Sequence, residues 1–96
     1  MTMATGNLIL TSSQISKMKH AVGLNNINVI SDGMEFPTYR NFFSSRGKDP
    51  DWEELVRMGY ATCQISGWSQ EHAYYLSPEG LRCLGGINNI TIIVKS

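Results

Sequence analysis

"KDPDWEELVRMG", Lys48 to Gly59, is the stretch on which the reading of this chain turns. It carries a complete set of signals for one short helix. Asp49 is a residue type that caps helix starts, because its carboxylate accepts from backbone donors that the first turn leaves unpaired. Pro50 suits the first helical position, where a missing N–H costs nothing. Asp51, Glu53 and Glu54 complement the positive end of the helix dipole. Trp52, Leu55 and Val56 form an inward stripe, and Gly59 ends the helix.

Downstream, "YATCQIS" (Tyr60 to Ser66) and "HAYYLS" (His72 to Ser77) read as two strands whose successive side chains take alternate sides. The loop "GWSQE" between them carries Trp68 near its tip. "SPEGLRCLGG" then opens a short helix: Ser77 caps, Pro78 leads, Leu81 and Leu84 face in, and Gly85-Gly86 terminate it. "INNITIIVKS" is rich in β-branched residues and reads as a strand. Its Ile90, Ile92 and Val94 share one face, with Thr91, Ile93 and Lys95 on the other.

Upstream, "TSSQISKMKHAVGL" predicts an amphipathic helix of about three turns. Ser12 or Ser13 caps it and Gly23 stops it; Ile15, Met18 and Val22 fall on one side, with Ser16, Lys17 and His20 opposite. "INVISDGMEF" predicts a hairpin about Asp32-Gly33, its ladder broken at Pro37. Tyr39 to Ser45 fits either a helical turn or a strand. Residues 1–10 read as a frayed end, with Leu8 to Leu10 able to pair as a short strand. There are no repeats and no linker, so the expectation is a single α+β domain over residues 1–96.

A chain of 96 residues can bury about 60–65% of its unfolded surface, enough for one modest core. Eight Lys and Arg balance eight Asp and Glu. That balance matters because nucleic-acid binders gain affinity by releasing counterions with a surplus of cations. Arg40, Arg46 and Lys48 make one candidate patch if Tyr39 to Lys48 is an exposed loop; otherwise they are solvated charges offsetting the acids. The helix at Pro50 to Met58, placed in a groove, would turn Asp51, Glu53 and Glu54 toward phosphates beside a single Arg57. The loop "SGWSQEH" offers no Lys or Arg. Contact with protein therefore ranks above contact with nucleic acid.

Catalytic and metal motifs are not found. Cys63, Cys83, His20 and His72 lack the paired spacing of structural zinc sites, although Cys63 and His72 could face each other across the hairpin. No Gly-x-Ser-x-Gly elbow or phosphate-cradling loop occurs. The expectation is a non-enzymatic protein with no cofactor and no metal. Two cysteines, no secretory pattern and no run approaching the ~20 apolar residues of a membrane span predict free thiols, an intracellular location and no membrane partner. Trp52 reads as core. Trp68 reads either as an exposed interface anchor or as a ring folded back over the hairpin. The strand holding Ile90, Ile92 and Val94 either pairs with another chain, giving a dimer, or closes the protein's own sheet.

Two resemblances follow from these residues. Leu55, Gly59, Tyr60, Tyr75, Leu76, Ser77, Glu79 and Gly80 fall in an order that resembles the second half of a winged-helix domain: helix, strand, wing, strand, helix. "MKHAVGL", "YRNFF", "WEELVRMGYA" and "YYLSPEG" resemble, in the same order, small proteins encoded by bacteriophages and prophages of Gram-positive bacteria. The first likeness implies a winged-helix-like core. The second implies a phage or prophage origin and a place in the cytoplasm of the bacterial host, and implies no mechanism.

Overall fold

The computed structural model describes residues 10–24 and 31–95. Along the chain run α1 (Ser12–Val22), β1 (Glu35–Thr38), β2 (Phe43–Ser45), α2 (Pro50–Arg57), β3 (Ala61–Ile65), β4 (His72–Leu76), α3 (Pro78–Asn88) and β5 (Thr91–Val94). This is an α+β domain. β2, β4 and β3 form an antiparallel sheet in that order, while β1 and β5 pair in parallel as a separate two-stranded sheet.

α2 forms as its sequence dictates. The Asp49 carboxylate accepts from the backbone N–H groups of Asp51 (3.0 Å) and Trp52 (3.2 Å), with Pro50 next in line. Gly59, at φ 85°, turns the chain into β3. α1 is capped one residue earlier than expected. Thr11 and Gln14 form a reciprocal box, each side chain accepting from the other's backbone N–H (3.0 and 2.9 Å), so neither Ser12 nor Ser13 is the cap. Gly23 ends α1 in a left-handed conformation, as expected.

The first half of the expected hairpin, with Ile27, Val29 and Ile30, lies outside the described residues. Its second half is β1, and β1 pairs with β5. Pro37 does not break that ladder; it sits inside β1. Thr91 N donates to Met34 O (2.9 Å) and Lys95 N to Thr38 O (2.7 Å). Even-numbered residues of β1 thus turn their backbone toward β5, and Pro37, which has no N–H to give, faces the other edge. Of the ambiguous segment Tyr39 to Ser45, Phe43–Ser45 form strand β2, and the residues before it are in neither helix nor strand. Asn41 extends that pairing with its side chain, donating to Leu76 O (3.0 Å) and accepting from Leu76 N (2.8 Å).

α3 also departs from expectation. Gly85 and Gly86 do not stop it; the helix runs through both to Asn88, and Asn89 closes it at φ 56°. Gly85 is there for close approach: a Cβ on it would stand 2.6 Å from Ile90 O, where the chain doubles back toward β5. Gly80 does the same at the other end, with a Cβ placed 2.0 Å from Tyr60 O.

Met18, Ala21, Val22, Leu24, Trp52, Leu55, Ala61, Tyr74, Leu76, Leu84 and Ile90 make one core. Trp52 is its centre, stacked on Tyr74 (5.5 Å between centroids) and tilted against Phe43 (5.3 Å). Its Nε1 is buried with no hydrogen-bond partner among the described residues. Such an orphan donor costs about 1–3 kcal/mol, a cost that full burial of a large ring can offset.

The glycine geometry separates packing from propensity. Gly80→Ala and Gly85→Ala should each destabilise by more than about 2 kcal/mol, since backbone oxygen occupies the new methyl's space. Gly86 has open space around it, so Gly86→Ala should stabilise by about 0.5–1 kcal/mol through helix propensity. Urea unfolding midpoints of the three variants check this.

Candidate contact surface

The loop joining β3 to β4 is a built structure. Ser66 N donates to Glu71 O (2.9 Å), Ser69 N to Ser66 Oγ (3.3 Å) and Glu71 N to Ser69 Oγ (3.4 Å). Gln70 holds a positive φ of 61° within it. Trp68 stands on this tip with 95% of its surface exposed, and Ile65 at the end of β3 is 57% exposed. The Trp68 ring therefore does not fold back over the hairpin. Phe42 and Tyr75 pack together (5.9 Å) on the sheet face turned away from Trp52.

β5 offers a different kind of surface. Its bonds to Met34 and Thr38 turn the odd-numbered residues toward β1, so the backbone of Ile92 and Val94 points to the opposite edge. Among the described residues no strand covers that edge. The side chains divide differently from the backbone: Ile90 is buried, Ile92 packs against the core, and Val94 is about one-third exposed, at 37%. Ile92 and Val94 offer a partner strand backbone, whereas Ile90 precedes β5 and is engaged by α3, its N–H donating to Gly85 O (2.8 Å). Tyr39 (81% exposed) and Ile87 add exposed apolar surface that the sequence reading did not single out. Ile87 was hidden by the helix end expected at Gly85.

The three candidate cations do not lie on one continuous loop. Arg40 precedes β2, whereas Arg46 and Lys48 follow it. Arg40 is also engaged, its Nε donating to His20 O (3.1 Å) at the open end of α1. Arg46 and Lys48 are exposed.

The acids of α2 are placed otherwise than expected. Asp51 is not a free outward charge: its carboxylate accepts from Ser13 Oγ (2.6 Å) and lies 3.0 Å from Lys17 Nζ. Lys17 also grips Asp49 at 3.0 and 2.8 Å. Glu53 accepts from the Tyr74 hydroxyl (2.7 Å), and Glu54 pairs with Arg57. The acidic side of α2 is thus an internal joint with α1 and β4. The bond to Asp49 holds the Lys17 ammonium above its ordinary pKa, and the Ser13 hydroxyl followed by Lys17 holds the Asp51 carboxyl below its own.

Beneath the hairpin, Glu53 from α2, Cys63 from β3 and His72 from β4 bring their ligating atoms within 4.8 Å of one another. Cys63 and His72 meet as the strand alternation allows, and Glu53 is the member the sequence gave no reason to add. Cys83 and His20 take no part in this group. Burial pushes the Cys63 thiol up in pKa and the Glu53 charge adds to it, against a smaller downward effect of Tyr74.

Compared with known protein families, curated proteins and solved structures, the chain matches none. Among the described residues, no helix is long and apolar enough to cross a membrane.

The joint between Lys17 and α2 has a pH signature. Asp51, lowered in the folded chain, contributes stability that is present above its unfolded value near 3.8 and is lost as pH falls through the folded value. Lys17, raised, contributes stability that is present below 10.5 and is lost as pH climbs through its folded value. Lys17→Met should cost about 1 kcal/mol at neutral pH. The gap to the parent chain should close below about pH 4, as followed by urea unfolding across an acid series.

Proposed function

We propose that this chain is a non-enzymatic contact protein of phage or prophage origin, working in the cytoplasm of its bacterial host. It joins a second copy of itself, or a protein partner, through Trp68 and the open edge of β5. One observation carries the reading: a tryptophan almost wholly in solvent, on a loop whose own hydrogen bonds hold it there. Tryptophan is a favoured anchor at protein interfaces. A preformed loop loses little conformational freedom on docking, so more of the burial energy appears as affinity. The β5 edge adds main-chain donors and acceptors suited to strand addition. The order α2, β3, hairpin, β4, α3 supports a winged-helix-like reading in which the hairpin is the wing.

A nucleic-acid role has less support. The side of α2 that holds Asp51 and Glu53 is occupied by α1 and β4, and Arg40 caps α1. Duplex DNA titrated at physiological salt should give no saturable binding. A steep loss of affinity with salt, reduced further by charge removal at Arg40, Arg46 and Lys48, would favour the nucleic-acid reading instead.

Self-association is tested by sedimentation velocity over a concentration series. Val94→Pro removes an N–H from the open edge, keeps the donors that Thr91 and Lys95 give to β1, and alters an exposed side chain. Combined with Trp68→Ala it should leave a folded monomer where the parent chain dimerises. A parent chain that stays monomeric at all concentrations, or a double variant that still dimerises, defeats self-association through these elements.

A further inference from the structure

We propose that Glu53, Cys63 and His72 form a binding site for a divalent transition metal of the zinc class, with water completing the coordination. The three side chains come from α2, β3 and β4, so the fold, not a local sequence motif, assembles them. Their chemistry suits the ion: thiolate, imidazole and carboxylate are the ligand types zinc takes, and two anionic ligands neutralise its charge.

Distances permit it. Bonds of about 2.0–2.3 Å at tetrahedral angles put ligand atoms roughly 3.3–3.8 Å apart. The present atoms lie within 4.8 Å, so closing on an ion takes small side-chain rotations.

The outer partners are also in place. His72 is buried, and its Nδ1 lies 3.2 Å from Gln70 O. A carbonyl can only accept, so that nitrogen carries the proton and Nε2 is left as the ligand. Glu53 is oriented by the Tyr74 hydroxyl at 2.7 Å. Such second partners fix ring orientation and raise ligand basicity in metal sites.

The local charge is also unsatisfied. Glu53 is half-buried, and among the described residues it has no Lys or Arg partner. Its charge, after burial itself, disfavours ionisation of the Cys63 thiol. A cation bound between the two groups reverses that repulsion. On binding, the Cys63 thiol proton passes to solvent as the sulfur–metal bond forms, with no change in oxidation state.

The test is a cobalt(II) titration of the intact chain, read by visible absorption. The expected result is the intense bands of a tetrahedral site with a thiolate-to-cobalt transition, displaced by one equivalent of zinc. Cys63→Ser should abolish the thiolate transition, and His72→Gln or Glu53→Gln should weaken affinity about a hundredfold, whereas Cys83→Ser should change nothing. Tyr74→Phe should weaken binding about tenfold by loosening Glu53. A second measurement needs no variant: zinc should slow alkylation of Cys63 and leave Cys83 unchanged. The proposal is overturned if the parent chain binds no cobalt or zinc at micromolar concentration. It is equally overturned if zinc leaves the Cys63 alkylation rate unaltered, or if folded Cys63→Ser binds as the parent does.

Discussion

Asp49 is the joint on which the rest of the structure depends. Its carboxylate starts α2 by accepting from Asp51 and Trp52, and the same carboxylate holds Lys17 of α1. Its backbone N–H donates to the Tyr74 hydroxyl (3.1 Å), and that hydroxyl donates on to Glu53. One residue thereby ties two helices and the central strand around the ring of Trp52. A small core has few contacts with which to choose between packings, and a satisfied polar network at its margin adds the selectivity that apolar area lacks. The tie has a penalty for partial loss: with Lys17 absent, two carboxylates would face each other at half-buried positions, and neighbouring like charges raise the cost of keeping both ionised.

This arrangement decides which surfaces remain for other molecules. Charges drawn into the joint cannot also read a phosphate backbone or repel it. Beside exposed charges such as Arg46, Lys48 and the Glu79–Arg82 pair, what is left outside includes apolar groups, Trp68 and Ile65 around the hairpin and Phe42 on the sheet, and the backbone edge at Ile92 and Val94. The neutrality of the whole chain favours association, since no net charge keeps two copies apart.

The sequence was legible where the determinants are local. Asp49-Pro50 before a Trp-Leu-Val stripe specifies α2 wherever it occurs, and the alternation in "YATCQIS" and "HAYYLS" specifies β3 and β4. Gly23 and Gly59 turn the chain with positive φ, as glycine after a helix commonly does. It was illegible where a residue answers to something distant. Gly85 reads as a stop from its neighbours, yet it is small because Ile90 O lies against it. Pro37 reads as a breaker, yet a parallel ladder uses only alternate residues, and Pro37 falls on the unused set. Asp51 and Glu53 read as a solvated helix face because Ser13, Lys17 and Tyr74 are 38, 34 and 21 positions away. In the Glu53–Cys63–His72 group the strand alternation let Cys63 and His72 be foreseen, whereas Glu53 was not, because only the seating of α2 on the sheet brings it there.

That group and the exposed tryptophan occupy one hairpin, and the strand register relates them. His72 pairs with Ile65, the last pair before the tip, and Nδ1 of His72 engages Gln70 O, two residues beyond Trp68. Whatever fixes the His72 ring therefore also holds the Gln70 carbonyl, inside the loop that carries Trp68. An ion held at Nε2 would cross-link the tip to α2 through Glu53, and so to the Asp49 joint. The anchor would then be rigid relative to the core rather than to its own hairpin alone. Ordering a two-strand ribbon before docking lowers the entropic cost of binding without adding any contact to the interface. Metal affinity and partner affinity would be coupled in equal measure in both directions, as linkage requires of any two ligands that favour the same conformation.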